Sequence, residues 1–531
     1  MSTSTDKPLE AFVSFPSPYT QSLLVQALVS VLPSIKISLV SYPEESPAAL
    51  QWADYDLLSF DPPHSNPTAY LISSYIYRKA LIRKHQLHST IQAYLAKCQH
   101  RGIQSILSPD QGGGTPRGWN VEIQFLDELD ELLVDDLWDL SEGMRGNEDL
   151  PEEERSWYIL KPGFADRAQG IRMFSTEDEL RAIFEEFEPP SSDEEDYEDD
   201  EDEQEHADEN EQIPQGVDGM IDMLAKKAAE LGFNGDEEDD RHINLDGDEE
   251  EDEDDGTGVM TSQLRHFVIQ EYMPNPVLFD IAQQPNQPSP FLEGYKFHLR
   301  AYVLLTSAYT VHLSRTMLAL FSGSPYTSPR SSKEGEELDL RPHLTNTCLQ
   351  TDSFGAPAPP EELVKLFWEL EGLDALSSTK DGKYQTRGKV TNQWLEAVFA
   401  KSGEVISEAI KAGAECGSFG LQFMPNAFEI FGVDLILSFP PASSTPDDVP
   451  VPKVTLLEFN ASPDFHQSGL RLKRDLLEMF KGVIRISIAP FFGLETNDDD
   501  EKRDGRGCWE VGEERWGWRL VGKGEIRGSG W

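Results

Sequence analysis

The chain has 531 residues, with 45 Lys and Arg against 96 Asp and Glu, a formal net charge of −51. So acidic a chain carries no electrostatic footprint for a phosphate backbone, and nucleic acid is not expected as a direct partner. No run of about 18 apolar residues exists to span a membrane. The N-terminus, MSTSTDKPLEAFVSF, also lacks a basic stretch followed by an apolar one, so neither a membrane partner nor secretion is expected.

The charge is concentrated. Glu185–Gly258 holds 34 acids and three bases, net −31, while the other 457 residues hold 62 acids and 42 bases, net −20. Such a stretch buries too little apolar surface to offset its ordering entropy, so disorder is expected over 188–260. One amphipathic run inside it, Met220–Leu231, could form a helix. The four cysteines (Cys98, Cys348, Cys416, Cys508) lie far apart without metal-ligand spacing. Reduced thiols and a cytoplasmic location are expected.

In chain order, Ala11–Phe15 reads as a strand, Tyr19–Leu32 as a helix and Ile35–Val40 as a second strand, together a small α/β unit. Ala69–Lys97 has helical spacing, with a basic run at Arg78-Lys79 and Arg83-Lys84. Gly112–Pro116 is a loop. Trp157–Leu160 is strand-like, enters a polar turn over Lys161–Gly170, and leaves through Ile171–Phe174. Asp178–Phe187 is helical until Pro189-Pro190 ends it. Order returns at Leu264–Tyr272. Lys296–Leu305, Tyr309–Leu313 and Met317–Phe321 read as successive strands, and Glu361–Leu370 and Trp394–Lys411 as helices. Phe428–Leu437 and Val454–Asn460 form a hairpin with a long Pro/Ser/Asp-rich loop. Leu470–Ile486 is an amphipathic helix. Thr496–Trp531 has no period and reads as a disordered tail.

Three segments carry chemistry. In KFHLRAYVLL, Lys296, His298 and Arg300 alternate with apolar residues and so share one strand face. Two cations on a face suit a polyphosphate; a solvated amphipathic strand is the alternative. Asp434 sits mid-strand in FEIFGVDLIL, and Glu458 and Asn460 share a face in VTLLEFNASPDF. A carboxylate inside an apolar strand is costly unless paired. Three oxygen donors on adjacent strands, completed by phosphates, suit Mg²⁺; a nearby Arg or Lys is the alternative. WYILKPGFADRAQGIRMF delivers Lys161 into a glycine-containing loop able to surround phosphate, although it matches neither GxxxxGK[ST] nor GxGxxG.

Taken in this order, RKALIRKHQL, WYILKPGFADRAQGIRMF, FVIQEYMPNPVLF, KFHLRAYVLL with HLTNTCLQ, and FGVDLIL with LLEFNASPDF resemble the tubulin-tyrosine-ligase family of ATP-grasp ligases. The variants are most similar to a fungal subgroup that includes a P-body-associated yeast protein. The resemblance implies an α/β ATP-grasp fold. It would comprise a Rossmann-like N-terminal domain over 1–75, a central lobe over 76–275, a C-terminal lobe over 276–495 and a tail over 496–531. It implies ATP and Mg²⁺ as cofactors. Lys84 and Lys161 would contact phosphates, and Gln270, the Glu271 backbone and Met273 would line the adenine pocket. Lys296 and Arg300 would hold phosphates and an acyl-phosphate as catalytic residues. Thr345 and Asn346 would contact nucleotide or substrate, and Asp434, Glu458 and Asn460 would bind Mg²⁺.

The implied activity joins an amino acid to an acidic protein C-terminus or side chain, tubulin being the family substrate. Two positions depart from the family pattern: His298 stands where Asp is common, and Leu320 where Arg is common. The readings left open are a ligase and a catalytically altered ATP-binding interaction protein of cytoplasmic RNA granules.

Overall fold

A computed structural model gives the structure of the protein and describes residues 8–42, 47–163, 169–187, 266–287, 291–307, 309–330, 338–345, 350, 360–379, 381–440, 449–496 and 509–524. The acidic stretch with Met220–Leu231 and Asn346 lie outside the described residues.

The N-terminal strands β1 (Glu10–Ser14), β2 (Lys36–Ser38), β3 (Leu50–Ala53) and β4 (Leu71–Ile72) form an all-parallel sheet in the order β2-β1-β3-β4. Parallel strands need crossovers, and the first is α1 (Pro18–Val31). Pro18 opens α1 and the Ser17 side chain caps it by accepting from the Thr20 N–H. Its buried stripe, Leu23, Leu24, Ala27, Leu28 and Val31, packs in the core that also holds Ala11 and Val13 of β1.

The helix expected over Ala69–Lys97 is two kinds of structure. Its start is β4, paired in register with β3; a single helical turn follows over Lys79–Ile82, and α2 runs from Lys84 to His100. The apolar residues Tyr70–Tyr75 are used as strand and loop because a half-formed parallel sheet needed another strand, and that pairing outweighed helical spacing.

A second sheet is antiparallel, in the order β5 (Gly118–Glu122), β8 (His266–Glu271), β6 (Tyr158–Pro162) and β7 (Arg172–Phe174). One face, with Tyr158, Leu160, Phe267 and Ile269, is covered by α3 (Glu128–Val134), α4 (Trp138–Glu148) and α5 (Glu177–Glu186). A capping box between Thr176 and Glu179 starts α5. The other face carries Lys161, Val268 and Gln270, which line a hollow shared with α2.

The largest sheet has ten strands and is built on the hairpin of β10 (Tyr295–Thr306) and β11 (Thr310–Pro325). The separate strands expected over Tyr309–Leu313 and Met317–Phe321 are one, because β10 pairs along its whole length. β9 (Leu278–Phe279) pairs the start of β10, and β15 (Phe428–Ser438) pairs the rest, with β16 (Lys453–Asn460) beyond it. The helix expected over Glu361–Leu370 is a single turn to Leu363, then β12 (Val364–Leu366) on the edge of β11 and a 3₁₀ turn. β13 (Asp374–Ser378) and β14 (Tyr384–Lys389) extend the sheet past β9. The long helix α6 (Asn392–Cys416) is capped by Thr391 and packs against α2 and this sheet. α7 (Lys473–Val483) packs on α1.

The tail is the clearest correction. Part of the segment expected to be disordered forms β17 (Glu514–Arg515) and β18 (Trp518–Lys523), and β18 pairs with β11 over Thr310–Ser314. Trp518 is fully buried against Gly482 of α7, and its indole N–H donates to the Met479 carbonyl at 3.1 Å. The hairpin has too few residues to show a period, and its order comes from the open edge of β11. Trp518→Ala is therefore expected to destabilise the fold by about 3–5 kcal/mol. A denaturant midpoint shift is the measurement, and an unchanged midpoint would contradict this placement.

Candidate functional site

Three neighbouring strands place the charged residues side by side. Arg300 of β10 lies directly opposite Asp434 of β15, and Asp434 lies directly opposite Glu458 of β16. Cross-strand partners project to one face, so register alone aligns a cation and two carboxylates. The Asp434 carboxylate accepts two hydrogen bonds from Arg300, from Nε at 2.5 Å and from the second guanidinium nitrogen at 2.9 Å. Asn460 donates its amide N–H to the same carboxylate at 3.1 Å. Burial alone would raise the Asp434 carboxyl, but the Arg300 charge and its hydrogen bonds, with the Asn460 amide, outweigh it and hold it below the usual range. Burial also opposes the Arg300 charge, and Asp434 reverses that, so the pair is ionised.

The three alternating residues of β10 do share a face, and it is not a solvated one. Lys296 and His298 are buried and Arg300 nearly so. The His298 Nδ1 is 2.5 Å from the Thr345 hydroxyl, while its Nε2 is 3.7 Å from Asp434 and has no hydrogen-bond partner among the described residues. Burial lowers its pKa, so the ring is neutral at physiological pH. Lys296 donates to the Tyr272 hydroxyl at 2.7 Å and to the His343 carbonyl at 2.6 Å. Burial, with the neighbouring Lys161 charge, pushes its pKa down to about 7.

Opposite this row, Lys84 opens α2 with its ammonium 3.6 Å from Glu458. Lys161 is half-buried on β6, where desolvation lowers its pKa, Glu458 acts to raise it and Lys84 to lower it. Lys84, Lys161 and Gln270 line one hollow of about 430 Å³ with Leu456 and His88. Glu271 and Met273 are not among its lining residues, and the Glu271 N–H donates to the Arg117 carbonyl at 2.9 Å. Asn346 and the turn over 164–168 lie outside the described residues.

Two participants were missed in the sequence. Tyr272 and His343 hold Lys296, and their hydroxyl and Nδ1 are 3.2 Å apart. Tyr272 stands inside the quoted EYM segment and His343 opens HLTNTC, but nothing in either spacing marks them. Only the packing of Tyr272, just after β8, against Leu340 and Leu344 does so.

Among the described residues, no three His, Cys, Asp or Glu side chains converge to hold a metal by themselves. The donor set of Asp434, Glu458 and Asn460 is instead two carboxylates and an amide on adjacent strands. Mg²⁺ fits such a set, since it is commonly held by one or two carboxylates with phosphate oxygens and water. Both carboxylates are balanced by a cation, Arg300 on one and Lys84 on the other. A metal–polyphosphate brings matching charges of both signs, so it can replace these internal partners without leaving a charge unpaired.

Two outcomes follow for the unliganded protein. Asp434→Asn strands the buried Arg300 guanidinium and is expected to cost about 3–5 kcal/mol by urea denaturation. A cost no larger than that of a surface substitution would contradict the pairing. Lys296 has a folded pKa of about 7 against the 10.5 of a free lysine. Its charge therefore disfavours folding below pH 7, and that penalty is relieved as pH rises toward 10.5. Lys296→Met is expected to flatten the rise in stability across this window.

A model of the tubulin-tyrosine ligase family matches residues 140–496. A probable tubulin–tyrosine ligase of Schizosaccharomyces pombe is 29% identical over 493 residues, covering 93% of this chain and 94% of the relative. The probable tubulin–tyrosine ligase PBY1 of Saccharomyces cerevisiae is 29% identical over 497 residues, covering 92% of this chain but 53% of the relative, so the chain spans about half of that protein. Among solved structures, the C-terminal domain of Pby1 from K. lactis superposes with a TM-score of 0.55 at 24% identity. It covers 98% of this chain and 100% of that one, and is described as an ATP-grasp enzyme interacting with the mRNA decapping enzyme Dcp2. That likeness shows the fold, which is ATP-grasp.

Proposed function

The chain belongs to the tubulin-tyrosine ligase family, and from that premise we propose that it is an ATP- and Mg²⁺-dependent carboxylate–amine ligase acting on a protein acceptor. One observation carries the reading: Lys84, Lys161, Lys296 and Arg300 are gathered with Asp434, Glu458 and Asn460 around one buried face. Asp434 and Glu458 already meet two of these cations, so the group carries an excess of positive charge at Lys161 and Lys296 that a metal–triphosphate would offset.

In this reading Gln270, the Glu271 backbone and Met273 border the adenine, with Lys84 and Lys161 on the phosphates. Thr345 holds His298 and, with Asn346, flanks the nucleotide or substrate. Asp434, Glu458 and Asn460 hold Mg²⁺, which when bound neutralises phosphate charge and fixes the phosphate geometry. An acceptor carboxylate attacks the γ-phosphorus, and the bond to ADP breaks. Lys296 and Arg300 stabilise the charge spread over the transferring oxygens and then the acyl-phosphate. An amino-acid amine forms the amide bond as phosphate leaves with the spare proton. No covalent nucleophile is needed; the residues position and neutralise.

A second reading is a nucleotide-binding interaction protein of cytoplasmic RNA granules. It draws on the neutral His298 at a position where the family commonly has Asp, and on the decapping-enzyme interaction described for the K. lactis relative. Tubulin tails are acidic, and the net −31 stretch over Glu185–Gly258 would repel them, so an acceptor less acidic than tubulin fits better.

Full-length protein incubated with Mg·ATP, a panel of amino acids and a panel of carboxylate peptides is expected to give a peptide mass increase of one residue. Phosphate release should require both acceptor and amino acid. Glu458→Ala and Lys161→Ala are each expected to weaken Mg·ATP binding about 10- to 100-fold, the loss of one charge-assisted contact. Nucleotide binding without any adduct across the panels would favour the interaction-protein reading.

A further inference from the structure

The two departures from the family pattern meet in the structure. His298 of β10 lies directly opposite Leu320 of β11, so their side chains are cross-strand neighbours on one face. Leu320 is buried and belongs to the apolar cluster that includes Tyr302, Phe465 and Leu476, so it offers the imidazole no polar partner. The carboxylates stand on the other side. Arg300, two residues along β10, is opposite Asp434, which makes Asp434 a diagonal neighbour of His298. Glu458 lies across from Asp434, one strand farther on.

The ring is held at one nitrogen and bare at the other. Its Nδ1 is 2.5 Å from the Thr345 hydroxyl, and both residues are more than nine-tenths buried. Its Nε2 has no hydrogen-bond partner among the described residues, and Asp434 Oδ1, at 3.7 Å, is beyond hydrogen-bond reach. A buried N–H without an acceptor costs more than an unused lone pair. The proton therefore belongs on Nδ1, donated to Thr345, and Nε2 keeps its lone pair. Histidines that bind metals are arranged in this way: one nitrogen donates to an oxygen, which fixes the tautomer and the ring orientation, and the other is left for the cation.

The spacing suits a shared cation. Two donors each about 2.1 Å from one metal stand between about 3 and 4.2 Å apart, depending on the angle between them. The 3.7 Å from His298 Nε2 to Asp434 Oδ1 falls inside that range. In the unliganded protein the same oxygen accepts from Arg300 Nε. A cation at this oxygen would replace the guanidinium and release it to a phosphate. With Glu458 and Asn460, the protein then offers three oxygens and one nitrogen. Among the described residues these do not close a shell by themselves, which leaves positions for phosphate oxygens.

We propose that His298 is a further protein ligand of the nucleotide-bound cation, through Nε2, and that the site is built for a first-row transition dication in preference to Mg²⁺. The inference rests on the nucleotide-binding reading for the phosphates that complete the shell, and it refines the metal of that site. Mg²⁺ favours oxygen donors and gives up water reluctantly, whereas imidazole suits the transition metals. One nitrogen in an otherwise oxygen set therefore moves selectivity away from Mg²⁺. An aspartate at 298 would supply an oxygen and a third negative charge; histidine supplies a nitrogen and no charge. Leu320 completes the change, because an arginine directly opposite the ring would set a positive charge against the cation.

The test uses the full chain with its histidines labelled with nitrogen-15, loaded with Mn²⁺ and a non-hydrolysable ATP analogue. Pulsed EPR of the bound Mn²⁺ is expected to show coupling to a nitrogen-15 nucleus, which separates imidazole from adenine and lysine nitrogens. The wild-type spectrum decides the ligand without any variant, and the coupling is expected to vanish in His298→Asp and His298→Asn. By calorimetry the analogue is expected to bind at least about tenfold tighter with Mn²⁺ than with Mg²⁺, a preference that largely disappears in His298→Asp. Bound Mn²⁺ and nucleotide without histidine coupling, or coupling that persists in both variants, would overturn the assignment and leave the nucleotide reading intact. Equal affinity with the two metals would overturn the preference. Histidine-coupled Mn²⁺ without nucleotide binding would defeat the nucleotide reading and leave His298 as a ligand. A chain that binds neither metal nor nucleotide would overturn both.

Discussion

The pairing of Arg300 with Asp434 is the constraint on which the rest depends. Neither charge tolerates burial alone, and each is supplied by a different strand, so the pair forms only when β10 and β15 are in one register. A slip of one residue in either strand would turn its own charged group to the opposite face, into the apolar packing against α6, and leave the other unpaired. The same register brings Glu458 across from Asp434 and puts Gly432 under the Arg300 stem. The apolar core and the charged row are thus two faces of one set of strand pairings.

Around that row, the ionic arrangement is internally balanced yet replaceable. Arg300 serves Asp434 and Lys84 serves Glu458, while half-buried Lys161 and buried Lys296 have pKa values lowered by desolvation. Such a site gains more from a ligand carrying both signs of charge than from a simple anion, because a simple anion would have to compete with the carboxylates already present. A metal–polyphosphate meets this condition. A separate hollow beyond Pro463, lined by Trp52, Phe428, Phe465 and Phe480, has the opposite character, aromatic with a few charges at one side.

Much of this was readable before any folding. The alternation of KFHLRAYVLL placed Lys296, His298 and Arg300 on one face, and the isolated carboxylate of FEIFGVDLIL announced a partner. Of the two alternatives for Asp434, the structure shows the arginine partner, Arg300. What strand periodicity could not reveal was where loops converge. Tyr272 and His343 are 71 positions apart, and Arg78 and Glu429 are farther still, so their meetings leave no local pattern.

The sequence by itself determined the local elements with strong periodicity, the family, and the residue types able to manage phosphate and metal. Those follow from spacing along the chain and from side-chain chemistry, both of which are local. The tertiary structure alone decided that Tyr70–Tyr75 extends a sheet instead of a helix, and that Trp518 in an aperiodic tail becomes core on the open edge of β11. It also opened a cavity at the divergence of β1 and β3. Each of these depends on which strand edge or helix face was left without a partner, a property of the assembled sheets that no window of sequence contains.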